Sequence, residues 1–184
     1  MKKRPMIIGV SLAATVAFAA PAMAATMVGG APMYPSKNII QNAVHSKINT
    51  TLVSAVKQAG LVKTLEGPGP FTVFAPTNRA FDKLPHSAVA NLMKPSNKSE
   101  LKTILTYHVL AGRYTTQDLR QKIKAGDGKA TLKTVEGDPL TFTEHDGHIR
   151  ITDEKGGTAE ITKGNVMQSN GVIQVVNSVL MPNT

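Results

Sequence analysis

The sequence predicts an α+β fold, because helix-type and strand-type spacings of apolar residues occupy different parts of the chain. Up to about Ile123, apolar residues recur mainly every three or four positions, which is typical of amphipathic helices. From Thr131 onward they alternate with polar residues, and glycine-containing turns separate the alternating runs. Helices followed by hairpins in a chain of 184 residues favour a single α+β domain.

The first 24 residues have the pattern of a Sec-type export signal. Residues 2–4 are all cationic, residues 7–20 form an apolar run, and residues 22–24 are the Ala-Met-Ala of a cleavage site. The run is shorter than the roughly 20 residues that a membrane-spanning helix needs. We therefore expect cleavage after Ala24 and a periplasmic or secreted protein that does not span the membrane, with an uncleaved anchor as the alternative.

A flexible leader is predicted to follow the export signal. Residues 25–36 are rich in glycine and proline and lack apolar periodicity. The chain contains no cysteine, which excludes both a disulfide and a lipid anchor on cysteine. With 41% hydrophobic and 18% charged residues overall, the composition is that of a globular protein, and we place its one domain at residues 37–184.

Helices are predicted for the first part of this domain. Two apolar stripes, at residues 39–44 and 52–56, precede Gly60, which suits a helix C-terminus. Asn97 resembles the first residue of a capping box, and Thr116 can cap a helix that carries Leu119 and Ile123 inward.

An antiparallel meander is predicted for the second part. Apolar and polar residues alternate over 140–143, 149–152 and 159–162, as expected for strands with one buried face. Turns fall between the runs at Gly137-Asp138, Asp146-Gly147, Gly156-Gly157 and Asn170-Gly171.

The run "FTVFAPTNRAF", residues 71–81, predicts a buried strand followed by a corner of the fold. Its apolar side chains point to both faces, which favours a strand covered on both sides, with Phe74 buried. Pro76 cannot donate a ladder hydrogen bond, and Thr77 can cap the helical turn that carries Phe81 inward.

Three blocks of the sequence resemble the signature blocks of the fasciclin domain and occur in the same order. They are "GPFTVFAPTNRAF", "LTYHVLAGRY" and "NGVIQVVNSVLMP", and the resemblance covers about Lys37 to Pro182. It implies one β-wedge flanked by helices, from a family of extracellular adhesion and matrix-associated modules without catalytic activity. The resemblance also makes Phe74, Thr77, His108, Asn170 and Gly171 residues of the structural motif.

The closing block departs from the family pattern at two positions. The family usually shows histidine and aspartate there, whereas this chain has Gln174 and Asn177. Both side chains are neutral amides that do not titrate near neutral pH. A family role that needs charge at these positions is therefore not expected here.

His108 and Tyr107 receive different predictions. His108 shares a helical stripe with Leu101 and Leu105, which points it inward and predicts a structural hydrogen bond. Tyr107 lies off that stripe, and we expect it at an exposed edge where it can contact a partner.

A second histidine pair lies at a predicted hairpin turn. In a two-residue turn on Asp146-Gly147, His145 and His148 would face each other at about 5 Å between Cβ atoms. Two imidazoles alone make a weak metal site, because catalytic zinc uses three protein ligands and structural zinc four. We interpret them as incidental surface histidines and predict no metal.

Features of an enzyme or a nucleic-acid-binding protein are missing from the sequence. It has no Gly-x-Ser-x-Gly elbow, no cysteine nucleophile and no closely spaced carboxylate pair on one predicted face. Residues 126–129 resemble a phosphate loop, but Ile123 occupies the place of the first glycine, so we interpret them as a hairpin turn. With no Trp and 4% aromatic residues, the chain lacks a stacking platform for bases. We predict neither enzyme activity nor a cofactor.

The charge distribution suggests an anionic partner. Basic residues outnumber acidic ones from Ala25 to Lys133, and the balance reverses from Thr134 to the end. Six cations fall within 21 residues: Arg113, Arg120, Lys122, Lys124, Lys129 and Lys133. We predict that Arg113, Arg120, Lys122 and Lys124, with Tyr107, contact an anionic envelope polysaccharide, a lipid surface or a surface protein. The simpler interpretation is a solvated surface.

Two functions from different classes remain. The first is a non-catalytic adhesion or binding module associated with the cell envelope or the extracellular matrix. The second is a periplasmic small-ligand carrier or enzyme that uses His108 or the His145/His148 pair. A pocket holding a strongly perturbed titrating group would favour the second function. A basic face and a buried, hydrogen-bonded His108 would favour the first.

Overall fold

The computed structural model describes residues 25–183. The predicted export signal, residues 1–24, and Thr184 lie outside the described residues. The strands are β1 Thr26–Val28, β2 Ala31–Met33, β3 Phe71–Pro76, β4 Val109–Ala111, β5 Lys129–Lys133, β6 Pro139–His145, β7 His148–Thr152, β8 Thr158–Gln168 and β9 Gly171–Val176. The helices are α1 Ile39–Ala43, α2 Thr50–Ala59, α3 Val62–Glu66, α4 Asn78–Asp82, α5 His86–Leu92, α6 Lys98–Tyr107 and α7 Thr116–Ala125.

Seven of these strands form one sheet, in the order β4-β3-β9-β8-β7-β6-β5, which confirms the α+β class. The meander from β5 to β9 is antiparallel, as the alternating pattern predicts. The antiparallel pairing predicted for the meander does not extend to β3, because β3 and β9 pair in parallel from Phe71↔Gly171 to Pro76↔Val176. Parallel neighbours need a long connection, and here nearly a hundred residues of helices and meander provide it.

The prediction of a flexible leader at residues 25–36 is wrong. These residues contain the hairpin of β1 and β2, paired from Thr26↔Met33 to Val28↔Ala31. Val28 and Met33 are buried in the core although their neighbours are glycine and proline. The glycines serve the turn, where Gly29 and Gly30 both have positive φ. The pattern was missed because strands of three residues are too short to show a period.

The helix ends match the sequence predictions closely, with two differences in capping. Gly60 ends α2 in the left-handed conformation, with φ of 72°. Asn97 does precede α6, but its side chain makes no capping hydrogen bond and donates to the Asn91 carbonyl instead. The cap of α7 is Thr115 rather than Thr116, because Asp118 lies three residues after Thr115 and completes a capping box with it.

The corner predicted at residues 71–81 is present. Pro76 ends β3, and the Thr77 hydroxyl accepts a hydrogen bond from the Ala80 amide at the start of α4. Gly171 stands beside Phe71 on the parallel neighbour, so closely that a Cβ on it would lie 2.1 Å from the Phe71 carbonyl oxygen. Only glycine therefore permits β3 and β9 to start side by side.

Two hydrophobic clusters cover the two faces of β3. Val73 and Ala75 pack into the first cluster, with α1, α2, α3, α6 and the N-terminal hairpin. Phe74 is fully buried in the second cluster, between α7 and the meander, where its ring centroid lies 5.5 Å from that of Phe142. The alternation predicted for this strand thus holds, since each face is covered by a different layer.

Candidate functional site

The predicted basic surface centres on α7. Leu119 and Ile123 are buried against the meander, so the opposite side of the helix faces solvent. Lys122 and Lys124 are exposed on this helix. Both also lie in its last turn, where a positive charge interacts favourably with the helix dipole.

Arg120 is not a free cation. Its Nε lies 3.0 Å from Glu144 Oε1, and its guanidinium also donates to the Gly147 carbonyl oxygen at 2.9 Å. Arg120 is exposed on α7 but already paired with Glu144, and its contact with an anionic partner stays a prediction. Glu144 reaches it from the end of β6, which packs beside α7 in the tertiary structure.

The cations of β5 do not extend the surface of α7. In this strand Ala130 is buried and Leu132 half-buried on the side that packs with α7, whereas Lys129 and Lys133 are exposed. Since side chains alternate along a strand, both lysines point to the opposite face of the sheet. The six cations therefore do not form one continuous patch.

Arg113 and Lys122 do come together. They line an open cleft of about 440 Å³ with Tyr114, Asp118, Gln121 and Ala125. The Lys122 ammonium lies over the Tyr114 ring, 5.6 Å from its centroid. Asp118 is the acid of this cleft, and hydrogen bonds from Thr115 hold the pKa of its carboxyl below the usual range.

Gln174 explains how Tyr114 is positioned. This amide is fully buried, and its Nε2 donates to the Tyr114 carbonyl oxygen at 2.9 Å while its Oε1 accepts from the Asn165 amide at 2.9 Å. A neutral amide supplies the donor and the acceptor together. Asn177, the other departure from the family pattern, accepts from the Glu160 amide at 2.9 Å. Both residues act here as structural hydrogen-bonding groups.

Tyr107 does not belong to the surface. The expectation that it is exposed is wrong, because its side chain is fully buried in the second cluster. Its hydroxyl donates to the Pro139 carbonyl oxygen at 3.0 Å and accepts from the Glu154 amide at 3.3 Å. Burial raises the pKa of Tyr107 to about 12. The apolar stripe of α6 predicted that the Tyr107 side of the helix would face solvent. In the folded chain the meander packs against that side.

His108 is buried, and both of its ring nitrogens are hydrogen-bonded. Nδ1 donates to the Ile104 carbonyl oxygen at 2.8 Å, and Nε2 accepts from the Leu180 amide at 3.0 Å. Burial lowers the pKa of His108 to about 4, so the imidazole is neutral at physiological pH. The residue ties the end of α6 to the chain segment after β9.

Asn170 has a similar role at the β8–β9 turn. Its Oδ1 accepts from the Ile39 amide at 3.0 Å, and its Nδ2 donates to the carbonyl oxygens of Leu65 and Gly67. One amide side chain therefore fixes the start of α1 and the end of α3 against the β8–β9 turn. The block of sequence around it is a structural joint.

His145 and His148 face each other across the β6–β7 turn, in the register that the sequence predicts. His145 Nδ1 lies 2.9 Å from Asp146 Oδ2, and all three side chains are exposed. Within residues 25–183 no group of three or more His, Asp or Glu side chains is arranged to hold a metal ion. The segment resembling a phosphate loop, residues 126–129, connects α7 to β5 and is not a hairpin turn.

Tyr114 is the site residue that the sequence analysis missed. It lies between Gly112 and the helix cap, where no periodicity indicates the direction of a side chain. Gly112 gives a partial indication, because a Cβ on it would lie 3.0 Å from the Tyr114 ring. A glycine two residues before an aromatic side chain permits such close packing, but only the folded chain shows it.

Comparisons with known proteins agree with this architecture. The model of the fasciclin domain matches residues 48–182. Protein sll1483 of Synechocystis is 40% identical over 144 residues, which are 78% of this chain and 73% of that protein. The immunogenic protein MPB70 of Mycobacterium bovis is 36% identical over 138 residues, 72% of this chain and 63% of that one.

A solved structure has the same fold. The FAS1 domain pair of the insect cell adhesion molecule Fasciclin I matches with a TM-score of 0.70 at 20% identity, over 79% of this chain and 51% of that one. Among the helices of residues 25–183, none has the length and apolar character needed to cross a bilayer. The family match covers most of the chain, and the protein therefore belongs to the fasciclin domain family.

Proposed function

We propose that this protein is a non-catalytic, extracytoplasmic adhesion module that binds an anionic component of the cell envelope or extracellular matrix. The observation that carries the proposal is the cleft in which Arg113 and Lys122 lie beside the Tyr114 ring. Two cations can pair with the carboxylates of an acidic polysaccharide. The Tyr114 ring in the same cleft offers an apolar surface to a sugar.

The names of similar proteins support this function. The insect relative by structure is a cell adhesion molecule, and MPB83 of Mycobacterium bovis, 32% identical over 148 residues, is a cell surface glycolipoprotein. The pattern of residues 1–24 supports export to the compartment where such partners occur.

The geometry gives less support to a carrier or enzyme that uses histidine. The lone pair and the proton of the His108 ring are both engaged, by the Leu180 amide and the Ile104 carbonyl. A general base needs a free nitrogen within reach of its substrate. His145 and His148 lie at an exposed turn, and His148 lines only an open groove, with Thr116 and Arg120.

Charge reversal at the two cations of the cleft and at the neighbouring Lys124 tests the proposal. Arg113→Glu, Lys122→Glu and Lys124→Glu are combined, and binding to immobilised alginate, a uronic-acid polysaccharide, is measured by surface plasmon resonance at low and high salt. Each cation contributes on the order of 1 kcal/mol near a strongly anionic surface, so we expect affinity to fall roughly 100-fold at low salt. The difference should shrink at high salt, where screening shortens the range of the attraction.

The matched control carries the same change in net charge elsewhere. Lys94→Glu, Lys98→Glu and Lys102→Glu alter three exposed lysines near the start of α6. This control should bind almost as wild type does and unfold near the wild-type temperature. The cleft variant should unfold at a slightly lower temperature, because glutamate in the last turn of α7 opposes the helix dipole. Equal losses in the two variants would mean that net charge rather than the cleft drives binding. Wild type that ignores alginate at all salt concentrations would remove the support for an acidic polysaccharide.

A further inference from the structure

The exposed side of α7 separates two open grooves. One is the cleft already described, which holds Arg113, Tyr114 and Lys122. The other is formed by residues of α7 together with Gly128 and with Glu144 of β6, and it measures about 520 Å³. We call it the second groove. Its volume is similar to that of the cleft, and both lie open to solvent.

The helical period places the two grooves on opposite flanks of α7. Each residue of an α-helix is rotated by about 100° from the one before it, so residues two apart point in nearly opposite directions. Lys122 and Lys124 are two apart, and Lys122 lines the cleft whereas Lys124 lines the second groove. The helix, about 10–12 Å across with its side chains, lies between the two lysines.

Gln121 belongs to both grooves. It is exposed on the side of α7 opposite the buried Leu119 and Ile123, which is the crest of the helix. The side chain lines the cleft on one flank and the second groove on the other, where Gln117 adds a second amide. An amide both donates and accepts hydrogen bonds. Gln121 can therefore bind a hydroxyl group of a ligand that crosses the crest.

The two grooves carry the same kinds of charged group. Each is lined by one arginine, one lysine and one carboxylate: Arg113, Lys122 and Asp118 in the cleft, and Arg120, Lys124 and Glu144 in the second groove. The protein already engages both carboxylates. Asp118 accepts hydrogen bonds from Thr115, and Glu144 pairs with Arg120 at 3.0 Å. With two cations against one engaged carboxylate, each groove attracts an anionic group.

The lysine is the more available cation in each groove. The Arg113 guanidinium donates to the Gln168 carbonyl oxygen at 3.4 Å, and Arg120 is held by its pairing with β6. Lys122 and Lys124 are both exposed. A lysine ammonium carries three donors on a flexible stem and can follow a carboxylate of the ligand. The two lysines therefore mark two places for anionic groups, one on each flank of a rigid helix.

A ligand that uses both places must carry more than one anionic group. A single acidic sugar has one carboxylate, and it can reach one of the two lysines because the crest of α7 separates them. A polysaccharide of acidic sugars repeats its carboxylates along one chain, which can pass from the cleft over Gln121 into the second groove. Contacts joined in one chain raise affinity, because the second contact then forms within the complex.

We propose that α7 binds a chain of several uronic-acid residues laid across the helix, with one carboxylate at Lys122 and a later one at Lys124. The proposal rests on the proposed adhesion function and specifies its ligand as an oligomer rather than a single acidic sugar. Gln121 contacts the sugar that crosses the crest, and the Tyr114 ring packs against a sugar in the cleft.

Binding of mannuronate, a uronic acid, as its monomer and as its hexamer tests the proposal. Each is titrated into the mature protein at low ionic strength, and affinities are read from NMR shifts of the Tyr114 amide in the cleft and the Gly128 amide in the second groove. We expect one hexamer per chain to shift both amides with the same affinity, roughly tenfold or more above that of the monomer.

The decisive variant is Lys124→Ala, read at the Tyr114 amide on the other flank of the helix. It should weaken hexamer binding there roughly fivefold and leave monomer binding there unchanged, because the hexamer alone contacts both grooves. A hexamer also has more sugars that can enter the cleft, but this gain remains in the variant. Lys102→Ala changes an exposed lysine of α6 outside both grooves and should alter neither affinity.

Four results would overturn the proposal. If Lys124→Ala leaves the hexamer affinity at Tyr114 unchanged, the chain does not reach the second groove. If it weakens monomer and hexamer equally, Lys124 acts through its charge at a distance and not through a shared chain. Hexaglutamate that binds as tightly as the mannuronate hexamer would identify an acidic protein as the partner. Equal affinities of monomer and hexamer would remove this inference alone, whereas no binding of either would remove the proposed polysaccharide ligand as well.

Discussion

The two hydrophobic clusters on either side of β3 are built differently. The second cluster joins the meander to α7 with large, fully buried side chains, among them Phe74, Tyr107 and Phe142. The first cluster joins the other face of the sheet to several short helices and the N-terminal hairpin, and it retains a pocket. One strand supplies side chains to both.

The length of two helices accounts for part of the difference, although α2 and α6 of the first cluster have ten residues each, as α7 has. The helices α1 and α3 have five residues each, and α1 and α3 bury only Ile39 and Leu65 among their apolar residues. Pieces this short cannot cover a sheet face without gaps, whereas long strands and the ten-residue α7 interdigitate closely. The comparison teaches that large aromatic side chains fill the second cluster, whereas the first cluster retains a small cavity of about 50 Å³.

The largest expected effect distinguishes the two faces of β3. Phe74→Ala should lower the free energy of unfolding by about 3 to 5 kcal/mol, because a fully buried ring leaves a cavity in the tightly packed cluster. Val73→Ala, on the opposite face of β3, should lower the free energy of unfolding by about 2 kcal/mol. The substitution removes fewer carbon atoms, and they lie beside an existing cavity. Denaturant unfolding measures both values. Equal costs for the two substitutions would remove the proposed difference in packing.

The next effect depends on pH and concerns His108, which links the clusters. Its pKa is about 4 in the folded protein against 6.5 in the unfolded chain, so the unfolded state takes up a proton first as pH falls. Its contribution to stability is fully present above pH 6.5 and decreases by about 3 kcal/mol down to pH 4. We expect His108→Gln to be less stable at pH 7 but to lose this part of the pH dependence. The exposed His86→Gln serves as control, and an unchanged slope in His108→Gln would contradict the assignment.

The smallest effect concerns the N-terminal hairpin. Met33→Ala should destabilise the protein by about 2 kcal/mol, at the low end for such a substitution, because the new space joins the pocket. Met27→Ala, in the same hairpin but 51% exposed, should change stability by less than about 0.5 kcal/mol. If thermal unfolding shows no cost for Met33→Ala, the hairpin contributes nothing to the first cluster.

Much of the fold was predictable because it depends on local patterns. Alternation identified the meander strands with their turns, and Gly60 and Thr77 marked helix boundaries through the conformations and hydrogen bonds they permit. The pattern failed for the three-residue strands β1 and β2, where hydrogen bonding to a partner and burial of Val28 and Met33 outweigh the glycine and proline content. Local propensity is too weak to decide such short elements.

The candidate sites were less predictable because they depend on which elements come together. The sequence marked Arg113 and Lys122 as cations, but their shared cleft depends on how Tyr114, in the irregular segment before α7, lies against the helix. The sequence predicts a partner contact for Arg120 as well, but in the folded chain Glu144 of β6 pairs with its guanidinium. No local pattern indicates the pocket, which is bounded by residues from Val28 to Ile173.

The sequence by itself determined the α+β class, the two-sided burial of β3 and the inward direction of His108, since each follows from a period that the chain imposes on its side chains. Tertiary structure alone decided that Tyr107 is buried, that Arg120 is paired and that the N-terminal hairpin closes over a pocket. The physical reason is the same in all three cases. Exposure and pairing depend on the surface that a distant segment brings, and that contact is set by packing of the whole chain rather than by any local repeat.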